Sequence, residues 1–322
     1  MADSAGKPLA LATIWLVPAD TSALSRGALT DTAGAFAFER LAAGRYYLRV
    51  DRVGFQSEWS DAKPLAAGQH MALAVTSAPP PIVLGRIRAS GTCRTGADMA
   101  ADTPLATVWG EARKAAAARR LFDLSYRYGV DLRERLVRYA VPSYTSRDAR
   151  HQLTSTPTAA RVLAEKGSWG GYGVGMDSTR LVAVQEMLQI LTEPFARTHC
   201  LYALEDHRGQ RRIHFQPLAD AAAVTDVAGT IILDARYGLS RIEFEYRKFD
   251  MATSRGYVEF GDGGVKGGPV RFLAKLVVWV FVAPASRGDD VSIGWGSHGF
   301  WGKEQARAWA RYGPFVRDTA AP

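Results

Sequence analysis

Alternating apolar and polar positions dominate the first quarter of the chain. Phe36 and Phe38 alternate with Ala35 and Ala37. Tyr46, Leu48 and Val50 alternate with Tyr47, Arg49 and Asp51, and Met71, Leu73 and Val75 repeat the pattern. A period of two puts the two sets on opposite faces of a strand. Thr30-Asp31-Thr32-Ala33-Gly34 and Leu41-Ala42-Ala43-Gly44 are turns by composition, and Gly54 ends the strand that contains Tyr46. Before them lie an apolar stretch, Pro8 to Ala19, centred on Ile14, Trp15, Leu16 and Val17, and a polar one, Asp20 to Arg26. Short strands with turn signals at this spacing predict a small β-sandwich over residues 1–78.

Ala78-Pro79-Pro80-Pro81 then interrupts the pattern. Proline removes backbone donors and stiffens the chain, so a linker is expected over residues 79–101. Within it, Ile82 to Arg88 is a candidate extended strand, and Ser90 to Ala101 is a loop that carries Cys93. Thr103 is placed to cap a helix, with Pro104 in its first turn. Leu105, Val108, Trp109, Ala112 and Ala116 recur at helical spacing as far as Leu121. Leu124, Tyr126, Tyr128 and Val130 then predict a strand, continued by Leu132 to Val141 after a turn. Ser143 to Thr158 is polar and aperiodic, and a long loop is expected. Leu181, Val184, Leu188 and Leu191 form a helical stripe that belongs in a core. From Cys200 the chain is an antiparallel meander: Leu201–Glu205, Arg211–Gln216, Val224–Asp234, Leu239–Lys248, Tyr257–Phe260 and Phe272–Val282. Val291 to Trp295 is expected to close the sheet, and Lys303 to Arg311 to form a short helix. The fold class is mainly β with minor α. A sandwich precedes an α+β domain over 102–322, a curved antiparallel sheet packed on one or two helices.

The chain has 322 residues, 47% of them hydrophobic and 22% charged, as expected for a globular protein of two domains. No apolar run approaches the roughly 20 residues of a membrane-spanning helix. The net charge is +8, spread along the chain without a basic block or an RNA-binding motif. That is a solvated basic surface or, alternatively, a surface for an anionic partner such as an envelope glycan; nucleic acid is not expected. Asn is absent, which excludes N-glycosylation sequons and Lys–Asn isopeptide crosslinks. Two cysteines exclude a disulfide-rich miniprotein and a tetrathiolate zinc site.

The string Thr30-Asp31-x-x-Gly34-x-Phe36-x-Phe38-x-x-Leu41-x-x-Gly44-x-Tyr46-x-Leu48-x-Val50-x-x-x-Gly54 resembles the carboxypeptidase regulatory-like domain, a transthyretin-like sandwich with a carbohydrate-binding-like fold. The strand that usually opens this family, with its Gly-x-Val, is not evident here, and an exported protein trimmed at its N-terminus is expected. Met1-Ala2-Asp3 has neither the basic nor the apolar region of a signal peptide. A second set of residues is similar to uncharacterised secreted bacterial proteins. It comprises Thr198-His199-Cys200, Ile213-His214-Phe215-Gln216-Pro217, Val227 to Ala235 with Gly229-Thr230-Ile231-x-Leu233-Asp234, and Leu239-x-x-Ile242-x-Phe244-x-Tyr246. Its Gly-Thr-Ile-x-Leu-Asp strand also resembles the half-barrel of lipoprotein-carrier-like proteins, which holds acyl chains. These resemblances imply the periplasm, the outer-membrane surface or the exterior. In that oxidising setting Cys93 and Cys200 are expected to pair, with two buried free thiols as the alternative.

Candidate chemistry is sparse. His199, His207 and His214 lie around one hairpin, but strand alternation and a turn point them apart, so no metal is expected. There is no Gly-x-Ser-x-Gly elbow, and adjacent His199 and Cys200 cannot act as base and nucleophile. Glu243, Glu245, Asp226 and Asp234 sit on strands, where any pair can be proposed as a glycosidase couple. The glycine-rich stretch Gly167 to Gly175 fits no phosphate-binding motif. It is either an aromatic ligand rim or a packed connection. The expected function is therefore non-enzymatic binding or assembly in the envelope, without a cofactor. Its ligand surface is the concave C-terminal sheet, with Trp169, Tyr172, Trp295, Phe300 and Trp301 as aromatic contacts. A glycan, a lipid or acyl chain, or an envelope protein is the expected partner. The alternative is a hydrolase of an envelope polymer, recognisable by a buried carboxylate pair with one raised pKa.

Overall fold

The computed structural model describes residues 1–20, 24–85, 87, 89, 91–96, 98–140, 143–155, 188–218, 226–248, 251–265, 270–282 and 302–317. The N-terminal sheet has five antiparallel strands: β1 (Thr13–Pro18), β2 (Arg26–Leu29), β3 (Gly44–Asp51), β4 (Glu58–Trp59) and β5 (Lys63–Leu65). Their order is β2-β1-β3-β4, and β5 also pairs with β3. Ile14 lies opposite Val50 and Leu16 opposite Leu48, and these four side chains form the inner face. Phe36, Phe38, Leu41 and Val75 cover it.

The covering layer is extended chain rather than the expected strands. The Asp31 carboxylate accepts hydrogen bonds from the N–H groups of Ala33 and Ala35, and the Asp31 N–H donates to the Ala35 carbonyl. A local turn thus takes the backbone groups that a ladder through Phe36 would need. Met71 and Leu73 are exposed, so only Val75 of that alternating set reaches the core.

Helix α1 (Thr103–Ser125) crosses the second sheet. Its N-cap is Asp102, one residue before the expected Thr103. The Asp102 carboxylate accepts the Leu105 N–H at 3.1 Å. The helix also runs four residues past Leu121, so Asp123 and Leu124 are helical and not part of a strand. Asp123 is tied back to Arg119 one turn earlier, and the Ser125 hydroxyl donates to the Leu121 carbonyl. No described helix is long and apolar enough to cross a membrane.

The second sheet has nine strands: β6 (Tyr126–Ala140), β7 (Ser143–Ser155), β8 (His199–His207), β9 (Gln210–Pro217), β10 (Asp226–Leu233), β11 (Leu239–Lys248), β12 (Met251–Gly261), β13 (Phe272–Val282) and β14 (Gly302–Arg317). The order is β7-β6-β14-β13-β12-β11-β10-β9-β8, antiparallel throughout. Three expectations are corrected here. β6 is continuous, without a turn before Leu132. Ser143 to Ser155 is a strand and not a loop, because its register against β6 is set by backbone pairing and an edge strand can be polar on both faces. Lys303 to Arg311 belongs to β14, inserted between β13 and β6, and is not a helix. Its alternation of Ala306, Ala308 and Ala310 with Arg307, Trp309 and Arg311 has the period of a strand, hidden by the helix propensity of alanine. Ile82 forms no strand; its N–H donates to the Gly54 carbonyl. Leu188 and Leu191 lie in a 3-10 turn, followed by α2 (Glu193–Thr198). Val291 to Trp295, with Leu181 and Val184, lies outside the described residues.

One registered row, Ala203, Ile213, Ile231, Ile242, Val258 and Leu276, crosses six strands. All six are buried in one cluster with Leu105, Val108, Trp109, Ala112, Ala115 and Ala116 of α1. The small alanine face lets the helix approach the sheet closely.

At its other end α1 meets the sandwich. Leu11 and Leu29 join Ala118, Leu121, Phe122, Tyr128 and Phe272 in a second cluster. Arg119 lies inside it. Its Nε donates to both Asp123 oxygens at 2.9 Å and its Nη2 donates to the Tyr128 hydroxyl at 2.9 Å. The guanidinium also sits 4.4 Å from the Phe272 ring centroid. Burial opposes the charge, but Asp123, Tyr128 and Tyr312 hold the Arg119 pKa above its usual value. Burial pushes the Tyr312 phenol up to about 12.

The β3–β4 turn is clamped as well. The Gly54 N–H donates to Glu111 Oε2 at 2.6 Å, and Lys114 Nζ donates to the Phe55 carbonyl at 2.6 Å. Gly54 has φ +83°, and a Cβ there would lie 3.0 Å from the Arg236 carbonyl oxygen, so glycine meets both demands.

The disulfide between Cys93 and Cys200 joins the segment before α1 to the edge strand β8. Next to it, Arg94 and Leu201 exchange two backbone hydrogen bonds, and the Gly96 N–H donates to the Ala196 carbonyl. The loop therefore covers part of an edge that would otherwise offer unpaired backbone groups.

Two outcomes follow for stability. The 107-residue separation of the cysteines sets the loop-closure entropy. Replacing both by serine lowers unfolding free energy by roughly 4–5 kcal/mol in the chain-entropy model, measured by urea titration. Asp123→Ala leaves Arg119 buried and unpaired and costs about 3–5 kcal/mol, and a joint Arg119→Met, Asp123→Leu replacement recovers most of it.

Candidate functional site

Along β9 to β12 every second residue faces away from α1. His214, Thr230, Glu243 and Tyr257 lie opposite one another in register across the four strands. Arg241 is one such step from Glu243 and faces Glu259 across the ladder; Glu245 is one step the other way and faces Arg255. On this face lies a groove of about 430 Å³, lined by His214, Thr230, Arg241, Glu243, Glu245, Arg255 and Tyr257 together with Ala228 and Phe244. Its floor includes Gly229 and Gly256, which flank Phe244 in register. A Cβ on Gly229 would come within 2.0 Å of the Glu243 carbonyl and 2.8 Å of the Phe215 ring, so only glycine fits at this position.

Tyr257 organises one side of the groove. The Arg241 guanidinium lies 3.7 Å from its ring centroid and Lys275 Nζ lies 5.3 Å from it. Arg241 Nε pairs with Glu243 at 3.1 Å, and Arg241 and Lys275 each reach Glu259 at 3.6 Å. A hydrogen bond with Tyr257, together with the Glu259 charge, raises the Lys275 pKa. On the other side the His214 ring lies 6.1 Å from Tyr202, whose hydroxyl accepts from Gln216. The result is a polar trough with charges of both signs around an aromatic ring. Such a lining can exchange hydrogen bonds with hydroxyl-rich ligands.

Glu243 is 44% exposed and paired with Arg241. Burial raises the pKa of Glu111, which lies on α1, paired with Lys114 at 2.7 Å and bonded to Gly54. Glu111 holds the seam to the sandwich and faces no groove residue.

Of the residues singled out in the sequence, the structure joins Cys93 to Cys200. Trp169, Tyr172, Trp295, Phe300 and Trp301 lie outside the described residues. His199 is buried, stacked 3.7 Å from the Phe195 ring, with Nδ1 within reach of the Phe195 carbonyl and the Thr198 hydroxyl. Among the described residues no three His, Cys, Asp or Glu side chains are placed to share a metal ion. Arg241, Arg255 and Tyr257 were not foreseen as site residues. The available signal was the period-two run Arg241-x-Glu243-x-Glu245, which puts three charges on one face of a strand.

Residues 2–78, the sandwich with its Asp31 turn and Gly54, match the model of a known family. This segment is a carboxypeptidase regulatory-like domain. Comparison with curated proteins and with solved structures gives no match to the chain. The carboxypeptidase regulatory-like domain thus accounts for the sandwich, and the groove lies beyond the matched residues.

Glu111 makes the docking of that domain pH-dependent. Its native pKa stands above the ordinary 4.5, so ionisation is less favourable folded than unfolded. Stability therefore falls as pH rises from the unfolded value through the raised native one, and the penalty is complete above it. In thermal melts between about pH 4 and pH 8, the wild type loses stability relative to Glu111→Gln as pH rises across that window.

Proposed function

We propose that this protein is a non-catalytic binding or assembly protein of the cell envelope or exterior, and that the outer groove of its C-terminal sheet binds a carbohydrate. The observation that carries the reading is the groove lining: Arg241, Arg255, Glu243, Glu245 and His214 offer donors and acceptors around Tyr257, whose ring carries the Arg241 guanidinium on one face. Sugars pack an apolar ring face on an aromatic and bond their hydroxyls to charged side chains. An acyl ligand is less well supported, because the inner face of the sheet is packed against α1 along the row from Ala203 to Leu276. The Cys93–Cys200 disulfide supports an oxidising compartment. A regulatory-type domain supports a role other than catalysis.

The hydrolase alternative rests on Glu243 and Glu245, which share the groove face. Glu243 is already held by Arg241 at 3.1 Å on an exposed surface, which favours a ligand-binding role for it.

The test is a glycan array with the full chain, followed by calorimetry on each hit and mass spectrometry of the recovered glycan. A hit is expected to return intact, and Tyr257→Ala is expected to weaken it by about tenfold, the value of one aromatic contact. Cleavage that disappears in Glu243→Gln would establish the hydrolase instead. Retention of no glycan, with lipid co-purifying in native mass spectrometry, would overturn the carbohydrate reading.

A further inference from the structure

The carboxypeptidase regulatory-like domain carries a second cluster, far from the groove in sequence. On the outer face of its sheet, Trp15 of β1, Arg49 of β3 and Trp59 of β4 stand opposite one another in register. The Arg49 guanidinium lies 5.5 Å from each indole centroid. Trp15 is half-buried at the α1 seam, whereas Trp59 is 56% exposed. Tyr47, two residues before Arg49 on the same face, meets Trp59 edge-on at 6.5 Å. An exposed indole beside a perpendicular phenol is a large apolar surface that folding leaves in water.

Arg49 is fixed in place and half-buried. Its Nε and Nη2 bond one oxygen of Asp51, at 3.1 Å and 2.9 Å. The other Asp51 oxygen accepts from the Ser57 hydroxyl at 2.7 Å. Asp51 is buried, so the guanidinium cannot swing away without leaving a buried carboxylate unpaired. That pairing engages Nε and Nη2 of the guanidinium, and Nη1 takes part in none of these contacts. A guanidinium edge presents two parallel donors, the geometry that a carboxylate accepts.

We propose that Tyr47, Arg49 and Trp59 form a subsite for a uronic-acid-bearing glycan. The pyranose face lies on the Trp59 indole, Tyr47 forms the side wall, and the sugar carboxylate accepts from Nη1 and Nη2 of Arg49. This site is independent of the groove on the C-terminal sheet and stands whether or not that groove binds sugar.

Tetragalacturonate and its methyl ester separate charge reading from stacking, because the ester keeps the rings and loses the carboxylates. Calorimetry with the full chain is expected to show the acid binding at least tenfold more tightly than the ester. Trp59→Ala is expected to lose at least tenfold for the acid at an unchanged melting temperature, since this side chain is largely in water. Arg49→Lys is expected to remove the preference for the acid, because an ammonium cannot hold Asp51 and a ligand carboxylate in parallel pairs. Tyr257→Ala, in the groove, is expected to bind the acid as the wild type does. Absence of acid binding, equal binding of acid and ester by the wild type, or full binding by Trp59→Ala overturns the proposal. A loss seen in Tyr257→Ala but not in Trp59→Ala would move the site to the groove and overturns it too.

Discussion

Arg119 carries a charge into a place with almost no water, and three parts of the chain must meet for that charge to be tolerated. Helix α1 supplies Asp123, β6 supplies the Tyr128 hydroxyl, and the Phe272 ring at the start of β13 lies against the guanidinium. The apolar wall around them is completed by Leu11 and Leu29 of the carboxypeptidase regulatory-like domain. A buried ion pair adds little net stability over an apolar filling of equal volume, but breaking it by halves is costly. The pair therefore disfavours any arrangement in which the helix end, the sheet and the sandwich do not meet together. Glu111 and Lys114 act in the same sense two turns earlier by holding the Gly54–Phe55 backbone.

The rest of the fold is a consequence of how α1 is clothed. Its alanine face lies on the row from Ala203 to Leu276, which occupies the inner face of the sheet. The polar groups of the same strands are left on the outer face, where they line the groove together with Gly229 and Gly256. At Gly229 the space that a side chain would take on the inner face is occupied by the Phe215 ring, 2.8 Å from where a Cβ would lie. At the far edge the disulfide and the Arg94–Leu201 bridge hold the chain entering α1 against β8. The helix is fixed at both ends by long-range contacts, neither of which local propensity could provide.

Local pattern was sufficient where one face of an element is wet and the other dry. Phe272–Val282 matches β13 residue for residue, and the helix was found from Leu105, Val108 and Trp109. It failed where a partner, not the side chains, sets the conformation. β7 has no apolar alternation and exists because β6 pairs with it along its whole length. β14 is alanine-rich, and only its position between β13 and β6 decides against a helix. Phe36 and Phe38 show the converse: their side chains reach the predicted core, but the Asp31 turn keeps their backbone out of the sheet. The groove was illegible for a related reason. Glu243 and Glu245 were visible on β11, but their companions Tyr257 and Arg255 come from β12, and only the register brings them opposite.

Firm docking of the sandwich bears on how the two proposed binding surfaces in one chain would act. A flexible linker would let each surface find its ligand alone, with an effective concentration set by linker length. Here Ala78 to Pro81 does not behave as a free tether. The Pro80 carbonyl accepts from Gln56, and Phe55 and Pro81 form a bridge. Asp31 is salt-bridged at 3.0 Å to Arg317 at the end of β14. The Trp59 face and the Tyr257 groove are therefore held on one body. Any gain from engaging both must come from a ligand long and stiff enough to match their fixed separation. Short oligosaccharides would bind each surface independently, whereas a polymer could engage both only along a path the fold permits.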